Sequence, residues 1–256
     1  MKTEIYYFTG TGNSLYVARE LNNALLHRGE LLPLARYQND EIVYSDAEMV
    51  GFVFPIYLGS VPWIVAEFIK KLKLEKPSYI FSVATYNSHA IQCMQILAEI
   101  LRANSIDLCL AETIVMPGNA KANSPQENEN KLIASAQRII DISQKINARA
   151  CEPQNVSPKT AKGAAKAFKH TSIAKFKVLP SCNGCRICAK VCPVKNIELI
   201  DNKPVWGKDC ASCLACFHWC PSNSIKWTLP VIGNRSQYQH PEVSVQDIIE
   251  QQPVGC

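Results

Sequence analysis

Eight cysteines near the C-terminus have the spacing richest in chemistry. They read Cys182-x2-Cys185-x2-Cys188-x3-Cys192-Pro193 and then Cys210-x2-Cys213-x2-Cys216-x3-Cys220-Pro221, the second run repeating the first 28 positions later. Three thiolates at x2 spacing can wrap one compact centre in tight turns, and a [4Fe–4S] cube takes four thiolates. Structural zinc is the competing reading. Zinc sites pair their ligands across a longer gap and take four per metal, so each run would leave a surplus cysteine. A disulfide scaffold would imply export. The N-terminus, Met1-Lys2-Thr3-Glu4-Ile5, has an acidic residue where an apolar signal core would begin. The spacing therefore predicts two [4Fe–4S] clusters.

A second chemical feature lies near the N-terminus. Thr9-Gly10-Thr11-Gly12-Asn13-Ser14 falls between a short apolar run, Ile5-Tyr6-Tyr7-Phe8, and a helical pattern. A helix N-terminus offers unpaired N–H groups and a partial positive charge, and small residues let the backbone close around a phosphate. The Thr9, Thr11 and Ser14 hydroxyls and the Asn13 amide add polar groups. The loop has no lysine, so it is not a Walker P-loop, and Leu15 stands where the dinucleotide fingerprint needs a third glycine. A single phosphomonoester such as that of FMN suits it better. The plainer reading is a turn in which Ser or Asn caps a helix.

These residues must be positioned by the elements around them. Leu15, Ala18, Leu21, Ala24 and Leu25 recur at helical spacing. Leu31–Leu34 reads as a second strand, at an edge or strand end because of Pro33. Met49–Phe54 is apolar on both faces, as a central parallel strand requires. Val61–Leu72, Ala90–Ala103 and Glu127–Ala148 read as helices, and Tyr79–Ala84 and Leu108–Met116 as strands. A long loop replaces one crossover helix between Pro33 and Met49. This alternation predicts an α/β fold, an open parallel sheet with helices on both faces. Five strands fit the order 2-1-3-4-5. Residues 1–150 form this domain, 151–177 a Pro-, Lys- and Ala-rich basic linker, 178–232 a small cysteine-rich α+β domain, and 233–256 a tail whose composition leaves a strap and disorder equally open.

The phosphate loop resembles that of flavodoxins. Joined to the two cysteine runs, which match the bacterial two-cluster ferredoxin motif, the chain resembles the bacterial and archaeal family of flavodoxin–ferredoxin fusion proteins over about residues 3–232. The resemblance implies FMN, two [4Fe–4S] clusters and electron transfer with a redox partner protein, in a flavodoxin-like domain followed by a ferredoxin-like one. In the ferredoxin motif the fourth cysteine of a run ligates the other cluster. One cluster would take Cys182, Cys185, Cys188 and Cys220, the other Cys210, Cys213, Cys216 and Cys192. In flavodoxins the flavin ring lies between the loops after the third and fourth strands. Here these are Pro55-Ile56-Tyr57-Leu58-Gly59-Ser60 and Thr85-Tyr86-Asn87-Ser88-His89. Tyr57 and Tyr86 are then candidates to stack on the ring, with Trp63 as a further aromatic. Gly59 would permit a peptide rearrangement, Asn87 would bond the pyrimidine edge, and His89 could donate a hydrogen bond. Pro117-Gly118-Asn119 would be a lid or a turn. The acidic residue frequent in the second ring loop of flavodoxins is absent.

Charge narrows the partners. Residues 1–150 carry 14 basic and 15 acidic side chains, and residues 151–256 carry 13 and 7. Two clusters would add about −4, leaving the C-terminal part near +2, so nucleic acid is not expected. The local basic segment, Lys159 to Lys177, is a solvated linker or a docking site for an acidic redox partner. The most apolar stretch, Met49 to Val65, is broken by Pro55, Gly59 and Pro62, so no membrane span is expected. The location expected is cytoplasmic, where thiolates stay reduced. Cys93 and Cys109 fall in apolar patterns and are expected in the core. His218 lies inside the second run, whose ligand set is already full. Three functions follow: an electron conduit, a flavin-dependent reductase of a small substrate or NAD(P)H, and a ferredoxin module with a flavin-free docking domain.

Overall fold

A computed structural model describes residues 1–76, 78–90, 92–121, 123–152, 175–228 and 236–252. Five parallel strands form the central sheet: β1 (Thr3–Tyr7), β2 (Glu30–Pro33), β4 (Met49–Pro55), β6 (Tyr79–Tyr86) and β7 (Leu110–Val115), in the order β2-β1-β4-β6-β7. Counting only these strands, the order is 2-1-3-4-5, as expected. Ile5, Tyr6, Phe8, Phe52, Phe54 and Phe81 are buried at its centre. α1 (Asn13–Ala24) and α4 (Pro125–Asn147) pack together on one face, and α2 (Trp63–Lys71) and α3 (Cys93–Ala103) on the other. α4 begins with a capping box between Ser124 and Glu127, with Pro125 in its first turn.

Two short strands depart from the sequence reading. β3 (Val43–Ser45) and β5 (Leu72–Leu74) pair in parallel beside the main sheet. A 3-10 turn over Leu34–Tyr37 and β3 occupy the stretch read as a long loop. α2 stops at Lys71 because Leu72 turns extended, with φ −71° and ψ 129°.

The cysteine-rich part is an internal repeat in three dimensions. β8 (Lys175–Val178), α5 (Ile187–Lys190) and β9 (Ile197–Ile200) recur 28 residues later as β10 (Lys203–Trp206), α6 (Ala215–His218) and β11 (Ile225–Thr228). The backbone repeats too: Gly184, Arg186 and Lys195 have positive φ, and so do Ser212, Leu214 and Asn223. The halves are exchanged in pairing, since β8 pairs with β11 and β9 with β10, both antiparallel. β8 begins at Lys175, inside the stretch read as linker. The rest of the basic segment, through residue 174, lies outside the described residues.

Residues 236–252 form a strap. α7 (Val245–Ile249) starts with a capping box between Ser244 and Asp247, and Asp247 pairs with Arg19 on α1. Arg36 Nη2 donates to the Glu250 carbonyl at 2.8 Å. Val243 and Ile248 join the main core, as do Ala211, Cys213 and Trp219 of the second cysteine run.

Candidate functional site

The loop Thr9–Ser14 leaves the carboxyl end of β1 and turns into α1 at Gly12. Gly12 has φ 100° and caps the helix without a side-chain hydrogen bond. L-residues avoid this conformation, and a Cβ there would lie 2.9 Å from both His240 Cβ and Val243 Cβ of the strap. Gly12 N–H donates to Thr9 Oγ1 at 3.1 Å. Among the described residues the N–H groups of Thr11, Asn13 and Ser14 meet no acceptor. Thus the donors at this helix start are free for an anion. The side chains of Asn13 and Ser14 are already engaged. Asn13 Nδ2 donates to the Pro117 carbonyl, its Oδ1 accepts from Tyr238 Oη, and Ser14 Oγ bonds Thr85 Oγ1, each at 2.8 Å. Asn13 therefore ties the loop to its surroundings rather than presenting its amide to a phosphate.

Thr9, Gly10, Thr11, Asn13 and Ser14 line a cavity of about 820 Å³ with Tyr57, Gly59, Tyr86, Asn87 and His89. Of the predicted cofactor residues, Gly12 alone stays out of the lining and acts through backbone shape. Tyr57 and Ser60 exchange backbone hydrogen bonds of 3.2 and 3.0 Å around Leu58 and Gly59. Both central residues have positive φ, the form of a tight hairpin turn. The turn swings Leu58 outward and Tyr57 inward, edge-on to Phe8 at 6.2 Å. The Tyr57 hydroxyl is buried and has no partner among the described residues. Burial holds its proton well above the ordinary range, and Cys213 and Cys210 push the same way. Asn87 Oδ1 accepts from Lys131 Nζ. His89 is exposed, bonded to Ser88. Pro117, Gly118 and Asn119 edge the cavity.

Trp63 does not line this cavity. Its indole N–H donates to the Cys210 carbonyl at 3.2 Å, so it braces α2 against the second cysteine run. Sequence reasoning also missed Ser212, Leu214 and Trp227, which close the cavity from the cysteine-rich side. No local signal marks them, because they reach the cavity through the packing of the two halves of the chain. That packing is close. A Cβ on Gly10 would lie 2.4 Å from the Cys213 carbonyl oxygen, and Trp219 Nε1 donates to the Gly10 carbonyl at 2.9 Å. His218 braces the same junction. Its Nδ1 accepts from Tyr238 N–H at 2.9 Å, so Nε2 carries the proton and donates to the Asn119 carbonyl at 2.9 Å.

The cysteines fall into two sets. Cys182, Cys185, Cys188 and Cys220 line one small cavity. Burial pushes the Cys188 thiol up to about 11, and Cys185, Cys220 and Cys182 add to the rise. Around Cys213, burial again comes first, then Cys192, with Cys210 and Cys216 beside it. Cys216 has Cys192 and Cys210 near it, and also Cys188 of the first set. Asn196 N–H donates to Cys192 Sγ and Ser224 N–H to Cys220 Sγ, both at 3.3 Å and 28 residues apart. The Trp206 indole nitrogen is buried without a hydrogen-bond partner among the described residues. Among the described residues no three His, Cys, Asp or Glu side chains converge on a single-ion site. Thiols buried together resist ionisation, and a cationic centre that binds thiolates would reverse this. Cys93 is core, its thiol raised to about 12 by burial. Cys109 is only half-buried, against expectation, and Cys256 lies outside the described residues.

A family described as flavodoxin domain matches residues 4–108. A solved archaeal flavodoxin is 15% identical, covering 57% of this chain and 99% of its own at a TM-score of 0.39. An azoreductase from Bacillus anthracis str. Sterne is 13% identical, covering 57% and 99% at 0.41. The Streptococcus pneumonia TIGR4 flavodoxin is 12% identical, covering 59% and 100% at 0.40. No curated protein matches. The N-terminal part is thus a flavodoxin-like domain. Among the described residues no helix is long and apolar enough to cross a membrane.

Proposed function

We propose that this chain is an electron-transfer protein that passes electrons between FMN, two [4Fe–4S] clusters and an external redox partner. The observation that carries the reading is the shared cavity: the phosphate-type loop and the Cys210–Cys216 loop line it together. FMN, when bound, exchanges electrons singly or in pairs, whereas each cluster carries one.

The chain's own residues divide the work. The free N–H groups at the start of α1 hold the phosphate, helped by the helix dipole. Tyr57 and Tyr86 wall the ring, and the unpaired Tyr57 hydroxyl supplies a donor inside the cavity. Cys210, Cys213, Cys216 and Cys192 would hold one cluster, and Cys182, Cys185, Cys188 and Cys220 the other, with Cys185 exposed to solvent. The backbone N–H groups of Asn196 and Ser224, which donate to Cys192 and Cys220, would lower the charge on sulfur and so tune the potential. The exposed Cys185 would leave its cluster's edge open to a partner protein.

A second reading, a flavin-dependent reductase of a small substrate or NAD(P)H, is favoured by the size of the cavity and by the exposed His89 and Lys121 at its rim. Steady-state turnover with candidate substrates separates the two. Protein purified without oxygen tests both: about one FMN and about eight iron atoms per chain are expected. Iron without flavin, even after incubation with FMN, would leave a cluster protein with a docking domain.

A further inference from the structure

Two cysteines outside both runs meet. Cys109 lies just before β7 and is half-buried, while Cys151 follows α4 and is exposed. Glu152 N–H donates to the Cys109 carbonyl at 2.7 Å, which lays the chain leaving α4 alongside Cys109. Tyr79 Oη donates to the Ala150 carbonyl at 2.8 Å, and Lys145 pairs with Glu152 at 2.9 Å, so both flanks of Cys151 are anchored. The neighbouring Cys109 thiol raises the Cys151 pKa. Neither thiol is used by the flavin cavity or by the cluster sets.

We propose that Cys109 and Cys151 form a thiol–disulfide exchange site whose substrate is a small-molecule disulfide. Cys151 is the exposed member and attacks first, as thiolate. The substrate S–S bond breaks, one thiolate leaves with the electron pair, and a mixed disulfide remains on Cys151. Cys109, deprotonated in turn, attacks the Cys151 sulfur and expels the second thiolate. Two protein thiols are oxidised, one small disulfide is reduced to two thiols, and the protons lost from the cysteines pass to the leaving thiolates. The product bridge joins the start of β7 to the residues after α4, where the connector to the cysteine-rich part begins. Because the thiolate is the attacking form, the exchange rate rises with pH.

The test uses the full chain, purified without oxygen with whatever cofactors it holds, in glutathione buffers of graded oxidation. Samples are quenched in acid, alkylated and digested, and disulfide-linked peptides are identified by mass spectrometry. Visible absorbance followed in parallel reports any loss of clusters, so that scrambling from the cysteine runs is recognised. A Cys109–Cys151 peptide should appear with one midpoint and two-electron dependence. The variant Cys109→Ser should accumulate a glutathione adduct on Cys151, and Cys151→Ser should form neither product. A stable glutathione adduct on Cys151 in the unaltered chain, with no bridged peptide, would overturn the proposal. So would a pair that stays reduced in the most oxidising buffer.

Discussion

The Tyr57 hydroxyl is buried without a partner among the described residues, and on the proposed function a bound flavin would give it one. A buried hydroxyl without a partner costs about 1–3 kcal/mol. The change Tyr57→Phe should therefore raise the stability of the flavin-free protein by about 1 kcal/mol and weaken FMN binding about five- to tenfold. Urea unfolding and a fluorescence titration with FMN check the two halves. A loss of stability in the flavin-free variant would mean that the hydroxyl already has a partner. Gly12 makes the complementary case for backbone. Its φ of 100° and the 2.9 Å approach to the strap leave no room for a side chain. Gly12→Ala should cost about 1–2 kcal/mol from conformation alone, read as a lower urea midpoint. That the loop Thr9–Ser14 turns from a strand into a helix was legible because small residues there separate a short apolar run from a helical period. That Asn13 is spent on Pro117 and Tyr238 was not, since its partners lie 104 and 225 residues away.

The strap is the element with a pH dependence of its own. His240 donates its backbone N–H to the Thr11 carbonyl at 2.8 Å and stacks on Tyr16 with centroids 4.1 Å apart. Its Nδ1 accepts from Glu242 N–H at 3.2 Å, so the proton sits on Nε2. Burial lowers its pKa from 6.5 to about 4. Between those values the unfolded chain binds more protons than the folded one, so stability rises with pH in that window and falls as pH drops through it. The loss is about 3 kcal/mol at most for a shift of this size. Asp247, held down to about 2 chiefly by Arg19 and Ser244 against the opposing effect of burial, loses its contribution only below the range where His240 has already titrated. Urea midpoints should therefore fall between pH 6.5 and 4, and fall less steeply in His240→Gln. An equal slope in the variant would place the acid sensitivity elsewhere. At this scale the central strands and helices followed from periodicity, whereas β3 and β5 escaped it. Strands of three residues are too short to develop an alternation.

For the whole molecule, the two cysteine sets predict unequal consequences. Cys185 lies at an exposed edge, whereas Cys213 is buried in the main core against Gly10. Cys185→Ser should lose about half the iron and leave FMN affinity unchanged. Cys213→Ser should lose the same share of iron and also weaken FMN binding about tenfold, because ligation and local folding are coupled. Iron analysis and FMN titration of both variants check this. Retention of all the iron in Cys185→Ser would sink the ligand assignment, and unchanged FMN affinity in Cys213→Ser would break the link between the near cysteine loop and the cavity.

What the sequence by itself determined is local. The cysteine spacing, its 28-residue repeat, the strand–loop–helix cradle and the alternation of the first domain are all written in intervals shorter than one supersecondary unit. Spacing and period fix which residues can face one centre or one side of an element. Tertiary structure decided everything that depends on distant segments meeting. It decided that the second cysteine run packs against the Thr9–Ser14 loop. It also decided that residues 236–252 clamp that loop, that Trp63 braces Cys210 rather than walling the cavity, and that Cys109 meets Cys151. These contacts join segments from 42 to more than 200 residues apart. They are selected by shape, burial and hydrogen bonding across the whole core, for which no local pattern stands in.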